Sequence, residues 1–254
     1  MTVEKKALKE MPPAAASSRH LRGIIFDMDG VLIDSHTAHR KAWRQFLHAL
    51  GREVADSELD FILDGRKRGD ILRHFLGDCP DADIEKFGRR KDCIFQQMQL
   101  EVAPIRGAIQ MVQELYRQGF SLAVATSASS SRALSTLSQL KLLDHFQVIV
   151  TGEDVPLGKP DPSIYRAARA RMAIQPEHLI AMEDAISGVR AAVGAGLCCV
   201  GLATHELPKE LLAAGATQVM QDFESASVDQ LERILLQWNR DPLCSRAELP
   251  FDRP

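Results

Sequence analysis

A short segment near the N-terminus, LRGIIFDMDGVLIDS at residues 21–35, constrains the fold more than any other part of the chain. Its apolar run, Ile24–Phe26, ends in two carboxylates, Asp27 and Asp29, which are followed by Gly30. Alternate side chains of a strand point to the same face, so both acids are expected on one side. If the run is the first strand of an open parallel sheet, both acids leave its C-terminal end, where such sheets place their ligands. Gly30 lets the chain turn and lets the backbone approach a ligand closely.

Two neighbouring carboxylates repel each other and lose solvation, so a cation is the expected compensator. With a hard cation bound, one acid can act as a nucleophile and the other as a proton donor. The alternative is a solvated turn at the end of a strand, because the pattern D-x-D-G is short. Only partners elsewhere in the chain separate these two interpretations.

The overall composition is that of an ordinary globular protein: 254 residues, 45% hydrophobic and 26% charged, with a net charge of −3. This length suits one large domain or two smaller ones. The charge gives no general attraction to nucleic acid or to anionic membranes, and neither is expected as a partner. A small anionic substrate would therefore need local positive charge or a metal.

Several negative features predict a cytoplasmic protein. No apolar stretch approaches the length of a membrane span, and the first twenty residues lack the hydrophobic region of a secretory signal. The five cysteines are odd in number and contain no CxxC pair, which favours free thiols in a reducing compartment. No exposed apolar stripe is evident, so we expect a monomer.

The residues after Ser35 have a helical pattern and predict an inserted module. Apolar residues recur at three- and four-residue steps, and no convincing strand occurs between residues 36 and 100. The predicted helices cover Ala38 to Leu50, Ser57–Leu63, Asp70–Leu76 and Asp81–Leu100, and Pro104 marks the return. The predicted domains are a helical cap at residues 36–103, a core at 21–35 and 104–240, a flexible extension at 1–20 and a tail at 241–254.

From Arg106 onward helices and near-continuously apolar strands alternate, which predicts a parallel sheet covered by helices on both faces. The predicted strands are Ser121–Ala125, Phe146–Val150, Leu179–Met182, Leu197–Leu202 and Gln218–Met220. The predicted helices are Gly107–Gln118, Ser130–Leu140, a helix to Met172 capped by Asp161 with Pro162 first, Ile186–Ala195, and one opened by a capping box of Ser227 and Gln230.

Polar groups follow the predicted core strands in a definite order. They are Asp27 with Asp29, then Thr126 with Ser127, then Lys159 in the sequence GKPDP, then Glu183 with Asp184. In a doubly wound sheet all four can meet above one edge. Carboxylates and a backbone carbonyl are the hard oxygen ligands that Mg²⁺ prefers. A threonine hydroxyl can hydrogen-bond a phosphoryl oxygen, and a lysine can neutralise charge on the nucleophile and the phosphate. Each signal alone is weak, but the ordered set is hard to reach by chance.

This ordered set resembles the haloacid dehalogenase superfamily over about residues 22–222. The inserted helices are similar to the cap of its subfamily IA, the group of β-phosphoglucomutase-like proteins and sugar phosphatases. The resemblance implies an α/β fold: a Rossmann-like, doubly wound parallel sheet with an inserted α-helical cap domain. It also implies a nucleophile, Asp27, that takes the phosphoryl group, and a general acid and base, Asp29.

The resemblance implies roles for further residues. Thr126 and Lys159 would hold the phosphoryl group, and Gly30 and Ser127 belong to the expected substrate-binding set. A Mg²⁺ cofactor would be held by Asp27, the Asp29 carbonyl, Glu183 and Asp184. The acid at Asp29 favours the phosphoryl-transfer branch, because haloalkanoate dehalogenases lack it.

Three residues of the predicted cap are candidates for substrate recognition: His39, Arg68 and Lys91. Their spacing resembles that of β-phosphoglucomutase residues that face the sugar and its second phosphate. The alternatives are a solvated basic face for Arg68 and its neighbours, and a hinge-packing role for His39. Trp43, Phe46 and Leu47 are expected in the cap core.

Three functions remain open from the sequence. The favoured one is a Mg²⁺-dependent phosphatase acting on a small phosphorylated metabolite, expected to be a sugar phosphate. The alternative is a β-phosphoglucomutase-type hexose-phosphate mutase using the same aspartyl phosphate. The third, disfavoured because every predicted site position is filled with a suitable residue, is a non-catalytic binding module.

Overall fold

The computed structural model describes residues 20–98 and 102–241. The strands in these ranges are β1 (Gly23–Phe26), β2 (Ile33–Asp34), β3 (Ala103–Pro104), β4 (Ser121–Thr126), β5 (Val148–Thr151), β6 (Leu179–Glu183), β7 (Cys198–Leu202) and β8 (Gln218–Met220). The helices are α1 (His36–His48), α2 (Asp60–Leu63), α3 (Arg68–Leu76), α4 (Asp81–Gln97), α5 (Ala108–Arg117), α6 (Ser130–Gln139), α7 (Ser163–Met172), α8 (Ile186–Gly194), α9 (Pro208–Ala213) and α10 (Val228–Arg240).

Six parallel strands form the central sheet in the order β5-β4-β1-β6-β7-β8. Successive side chains of β1 serve opposite faces: Ile24 and Phe26 pack with α5, α6 and α10, whereas Ile25 packs with α7, α8 and α9. The chain leaves β1 toward β4 on one side and later returns to β6 on the other. The C-terminal end of β1 therefore lies at the switch point of the strand order, where a crevice for ligands opens.

Helices α1–α4 lie between β2 and β3 and form what we call the helical insertion, residues 36–98. They have an apolar core of their own, which includes Trp43, Phe46 and Leu47, as predicted. Two connecting segments join the insertion to the sheet domain through an antiparallel ribbon, in which Ile33 lies opposite Pro104. The sequence did not predict this ribbon, because two-residue strands carry no periodicity.

The predicted fold class is confirmed, and all six predicted core strands are present. Strand β5 begins at Val148 rather than Phe146, because its pairing with β4 starts where Val148 lies opposite Ala123. The helix predicted to begin at Pro162 begins one residue later. Asp161 nevertheless acts as a cap, since its carboxylate accepts a hydrogen bond from the Ser163 N–H at 2.9 Å.

Other differences concern helix ends. Residues 57–63 combine a 3₁₀ turn with the short α2, and α9 was not predicted. Helix α4 ends at Gln97, and the last residues of its predicted extent lie outside the described ranges. The predicted N-terminal extension and C-terminal tail also lie outside them, apart from His20 and Asp241. The predicted domain boundaries stay predictions. Among the helices described, none combines the length and apolarity needed to cross a membrane.

Candidate active site

Three buried carboxylates meet at the C-terminal ends of β1 and β6. Asp27 directly follows β1, Glu183 ends β6, and Asp184 follows it. One carboxylate oxygen from each lies within 4.8 Å of the others. Parallel strands bring these residues together because β1 and β6 are adjacent and in register, with Phe26 opposite Met182. The acids, far apart in sequence, thus form one cluster.

A single lysine bridges two members of this cluster. The Lys159 ammonium lies 2.6 Å from a carboxylate oxygen of Asp27 and 2.6 Å from one of Glu183. The Tyr165 hydroxyl donates to the same Glu183 oxygen at 2.6 Å. Burial lowers the pKa of Lys159, but the charges of Asp27 and Glu183 outweigh burial and hold that pKa above its ordinary value. Lys159 is therefore a positively charged group held between Asp27 and Glu183.

One lysine cannot balance three buried carboxylates, and the pKa values of Asp27 and Asp184 reflect the imbalance. Burial raises the pKa of Asp27 well above its usual value despite Lys159, and the nearby Glu183 and Asp184 add to the rise. Burial, with Glu183, likewise raises the pKa of Asp184. A cluster of hard oxygen ligands short of positive charge fits Mg²⁺. Asp27, Glu183 and Asp184 are the side chains that would hold it.

Two glycines make room for these acids. A Cβ on residue 30 would lie 1.8 Å from a carboxylate oxygen of Asp184, and the positive φ of 75° at Gly30 is itself strained for any other residue. A Cβ on Gly188, in the first turn of α8, would lie 2.1 Å from the Glu183 carboxylate. The DxDG and ED…G patterns thus reflect direct backbone-to-carboxylate packing.

Asp29 is not one of the three clustered carboxylates and is held by a separate set of partners. Arg132 donates to both of its carboxylate oxygens, at 2.9 and 2.5 Å. The Ser35 hydroxyl donates at 2.6 Å, and the His39 ring lies at 3.4 Å. Burial tends to raise the pKa of Asp29, but Arg132 and His39 outweigh it and hold that pKa well below its usual range. The carboxylate predicted as general acid and base is ionised in this arrangement.

Arg132 is the main site residue that sequence reasoning missed. It lies in the first turn of α6, is 6% exposed, and is the only charged residue of that helix. That isolation on a short amphipathic helix, beside buried Ala133, was the available signal. His36 was also missed: its ring nitrogen Nε2 lies 3.1 Å from Asp184, and its ring stacks on His205 with centroids 3.6 Å apart.

The three residues singled out in the predicted cap converge on the same region. His39 stacks on Phe95 with ring centroids 4.4 Å apart. The Lys91 ammonium lies 3.1 Å from Nδ1 of His39 and above the Phe95 ring. Burial, reinforced by Arg132, lowers the pKa of Lys91 to about 7, and burial with Lys91 lowers that of His39 to about 3. These are not solvated surface positions.

Arg68 is matched by several carboxylates. Its guanidinium lies 3.1 Å from Asp92 and 3.3 Å from Glu85 within the helical insertion, and 3.7 Å from Glu153 of the sheet domain. The charge of the Arg68 guanidinium is therefore balanced by these carboxylates. Arg89, on the following helix α4, is largely exposed and fits a solvated basic face.

One cavity of about 80 Å³ brings these groups together. Nine predicted site residues line it: Asp27, Asp29, His39, Arg68, Lys91, Thr126, Ser127, Glu183 and Asp184. Gly30 and Lys159 do not line the cavity. Gly30 packs against the Asp184 carboxylate, and Lys159 donates to the Asp27 carboxylate. The cavity is well below the roughly 300 Å³ of a small-molecule pocket. The helical insertion is therefore closed over the site.

Polar contacts hold the insertion in this position. The Ser187 hydroxyl donates to the Asp64 carbonyl, and the Ser127 hydroxyl donates to the Gly65 carbonyl. The Lys67 ammonium donates to the carbonyl of Val155 at 2.6 Å and to that of Pro156 at 3.2 Å. Ser127 is thus engaged with the insertion itself. The Thr126 hydroxyl oxygen accepts from the Ala128 N–H at 3.2 Å.

A doubly wound parallel sheet, with buried acids at its switch point and a helical insertion over them, defines a Rossmann-like protein with a ligand site at the strand ends. Residues 24–202 match the sequence profile described as haloacid dehalogenase-like hydrolase. The chain belongs to this family, and within it resembles subfamily IA. The chain is accordingly an enzyme of the haloacid dehalogenase-like hydrolase family, in which relatives are described as phosphatases, and the binding-module hypothesis is set aside.

Similar proteins carry related descriptions. The chain is 33% identical over 216 residues to the phosphorylated carbohydrates phosphatase of Thermotoga maritima, covering 82% of this chain and 98% of the relative. It is 27% identical to the β-phosphoglucomutase of Bacillus subtilis, covering 72% and 83% of the two chains. Among solved structures, CbbY from Rhodobacter sphaeroides in complex with phosphate superposes with a TM-score of 0.69 at 30% identity, covering 81% and 96%.

Proposed function

We propose that this protein is a Mg²⁺-dependent phosphatase that hydrolyses a small phosphorylated sugar through an aspartyl phosphate on Asp27. The observation that carries the proposal is the buried cluster of Asp27, Glu183 and Asp184 around one lysine, at the base of a cavity. The similarity to a phosphorylated carbohydrates phosphatase supports the substrate class.

The proposed reaction has two half-reactions on the same carboxylate. Asp29 first takes up a proton from solvent; an Asp27 oxygen then attacks phosphorus, the bond from phosphorus to the leaving oxygen breaks, and Asp29 gives that oxygen its proton. Asp29 then takes a proton from water, whose oxygen attacks the phosphorus of the aspartyl phosphate and frees Asp27 and inorganic phosphate. Each residue returns to the protonation state that it had when Asp27 attacked.

The surrounding residues position and neutralise the groups that react. Lys159, fixed by Asp27 and Glu183, offsets negative charge as the phosphoryl group approaches. Thr126 lies at the end of the neighbouring strand, lines the cavity, and would hydrogen-bond a phosphoryl oxygen. When bound by Asp27, Glu183 and Asp184, Mg²⁺ supplies charge neutralisation of the phosphoryl oxygens. Closure of the helical insertion excludes bulk water from the cavity.

A mutase is the second candidate, because Arg68 and Lys91 of the insertion line the same cavity and a β-phosphoglucomutase is among the relatives. A mutase would return the phosphoryl group to a sugar hydroxyl instead of water. Product analysis separates the two: a phosphatase releases inorganic phosphate, whereas a mutase yields an isomeric sugar phosphate with little release.

The test is phosphate release from a panel of sugar phosphates with Mg²⁺ and with a chelator. The panel includes β-glucose 1-phosphate, with and without glucose 1,6-bisphosphate. We expect Mg²⁺-dependent release and a loss of at least about a thousandfold in Asp27→Asn, which keeps the shape of the side chain. Asp229→Asn, at an exposed position of α10, is the matched control and should retain full activity. Near-normal turnover in Asp27→Asn would contradict the proposal.

A further inference from the structure

The hydrogen bonds of Asp29 restrain the carboxylate that is proposed to act as general acid and base. Its two carboxylate oxygens are both bonded to the Arg132 guanidinium, and a further bond comes from Ser35. The side chain is held beside α6 and not among the acids around Asp27. Movement of the Asp29 carboxylate toward Asp27 would break at least one of its bonds to Arg132.

That movement would leave a buried cation without its partner. Arg132 is 6% exposed, and in residues 20–98 and 102–241 Asp29 is the one carboxylate that hydrogen-bonds to it. The Phe95 ring also lies beside it, 5.3 Å from the guanidinium carbon. A buried charge deprived of its counter-charge is strongly unfavourable. An anion is therefore needed to replace Asp29.

Arg132 is better suited to take this anion than the neighbouring cation Arg68. The Arg68 guanidinium already lies near Asp92, Glu85 and Glu153, so its charge is balanced whether or not substrate is bound. Arg132 lines the cavity together with Asp27 and Asp29, so its guanidinium faces the space that a substrate would occupy. A planar guanidinium that now binds a carboxylate with two bonds can bind a phosphate or carboxylate in the same way.

We propose that Arg132 is a positioning residue that exchanges partners during the reaction: a second anionic group of the substrate, a phosphate or a carboxylate, replaces Asp29 on Arg132 and frees Asp29 to act. The inference rests on the proposed function, and it narrows the substrate class to phosphorylated sugars that carry another anionic group. A substrate with a neutral distal end would leave Asp29 clamped.

The first test uses the wild-type enzyme with Mg²⁺ and matched substrates. One has a neutral distal end, one carries a second phosphate, and one carries a carboxylate, such as a phosphorylated sugar acid. We expect kcat/KM to be at least about tenfold higher for one or both of the anionic substrates. Equal kcat/KM values for all three substrates would overturn the partner exchange. The proposed function would still stand in that case if wild-type turnover required Mg²⁺ and was lost in Asp27→Asn.

The second test uses variants of Arg132. In Arg132→Ala we expect the preference for the anionic substrate to shrink to within about twofold, because kcat/KM falls for the anionic substrate and does not fall by the same factor for the neutral one, whose Asp29 is no longer clamped. Arg132→Lys keeps a charge without the planar fork and should restore part of the preference. Arg171→Ala removes an arginine that is paired with Asp154 outside the cavity, and it should leave the preference unchanged.

A merely structural role for Arg132 gives a different pattern. If Arg132→Ala lowers kcat/KM for neutral and anionic substrates by the same factor, and Arg132→Lys restores both equally, the partner exchange is wrong. Circular dichroism and the urea midpoint of each variant show whether the fold is kept. If Arg132→Ala does not fold, the comparison between wild type and Arg132→Lys decides the question.

Discussion

The Lys159 ammonium lies 2.6 Å from the carboxylate of Asp27, and both groups are buried. The same ammonium bonds Glu183, so one side chain joins the ends of β1 and β6. Lys159 lowers the pKa of Asp27 and so offsets part of the rise that burial and the neighbouring acids cause. The bridge between β1 and β6 also makes Lys159 a structural element of the site as well as a chemical one.

Replacement of Lys159 by methionine should therefore destabilise the fold. The change leaves Asp27 and Glu183 buried without their cation, and removal of one partner of a buried ion pair costs about 3–5 kcal/mol. Urea unfolding measures the loss. Added Mg²⁺ should recover part of it in Lys159→Met, because a divalent cation would substitute for the missing charge. Lys209→Met, on the exposed side of α9, is the control. A similar shift of the urea midpoint in both variants would show that the ion pairs of Lys159 do not stabilise the fold.

The glycines of α8 provide a matched pair for testing the packing of Glu183. Gly188→Ala places a methyl group 2.1 Å from the Glu183 carboxylate, so overpacking should destabilise the protein by about 1–3 kcal/mol and weaken Mg²⁺ binding. Gly194→Ala meets Pro162 at an ordinary 3.5 Å and should be neutral or stabilising, by up to about 1 kcal/mol. Thermal unfolding with and without Mg²⁺ measures both effects. Equal behaviour of the two variants would contradict the role given to Gly188.

Lys91 should make stability depend on pH in the alkaline range. Its pKa falls from 10.5 when unfolded to about 7 when folded, chiefly through burial. Between these two values the unfolded chain binds the proton and the folded chain does not, so stability rises with pH. The penalty is complete below about pH 7 and disappears toward pH 10.5. Because the side chain is buried, the effect is on the order of a few kcal/mol.

The measurement is urea unfolding of wild type and Lys91→Met at pH 7 and pH 9.5. Lys91→Met should be the more stable protein at pH 7, and the difference should narrow at pH 9.5. Lys86→Met, an exposed lysine on the same helix, corrects for general effects of charge removal. A difference between wild type and Lys91→Met that stays constant with pH would show that Lys91 remains charged in the fold.

Lys67 should control how readily the helical insertion opens. The cavity of about 80 Å³ is small and is covered by the insertion, so we expect substrate to enter when the insertion moves. Lys67→Met removes two hydrogen bonds to the Val155 and Pro156 carbonyls, and the closed state should be less populated. We expect KM to rise by about three- to tenfold and the thermal midpoint to change little. Steady-state kinetics measure KM, and hydrogen exchange around Gly65 measures opening of the insertion. Unchanged exchange in Lys67→Met would show that the Lys67 contacts do not keep the insertion closed.

The sequence alone was sufficient for the parallel sheet, the inserted helices and the acids at the strand ends. These features are local: the apolar run of β1 predicts a buried strand, and the two-residue period sends Asp27 and Asp29 out of its end. The pattern DxDG predicted that the backbone at Gly30 approaches a ligand closely. It did not predict that the packing partner of Gly30 is the Asp184 carboxylate.

The tertiary structure decided which charges face each other. The ion pair between Arg132 and Asp29 joins residues 103 positions apart, and the contact between Lys91 and His39 joins residues 52 positions apart. Neither pair has a local signature, because a side chain's charge acts through space and the partner is set by how α4 and α6 pack around the cavity. The sequence could therefore place Asp29 at the site, whereas only the folded chain shows that Arg132 holds it there.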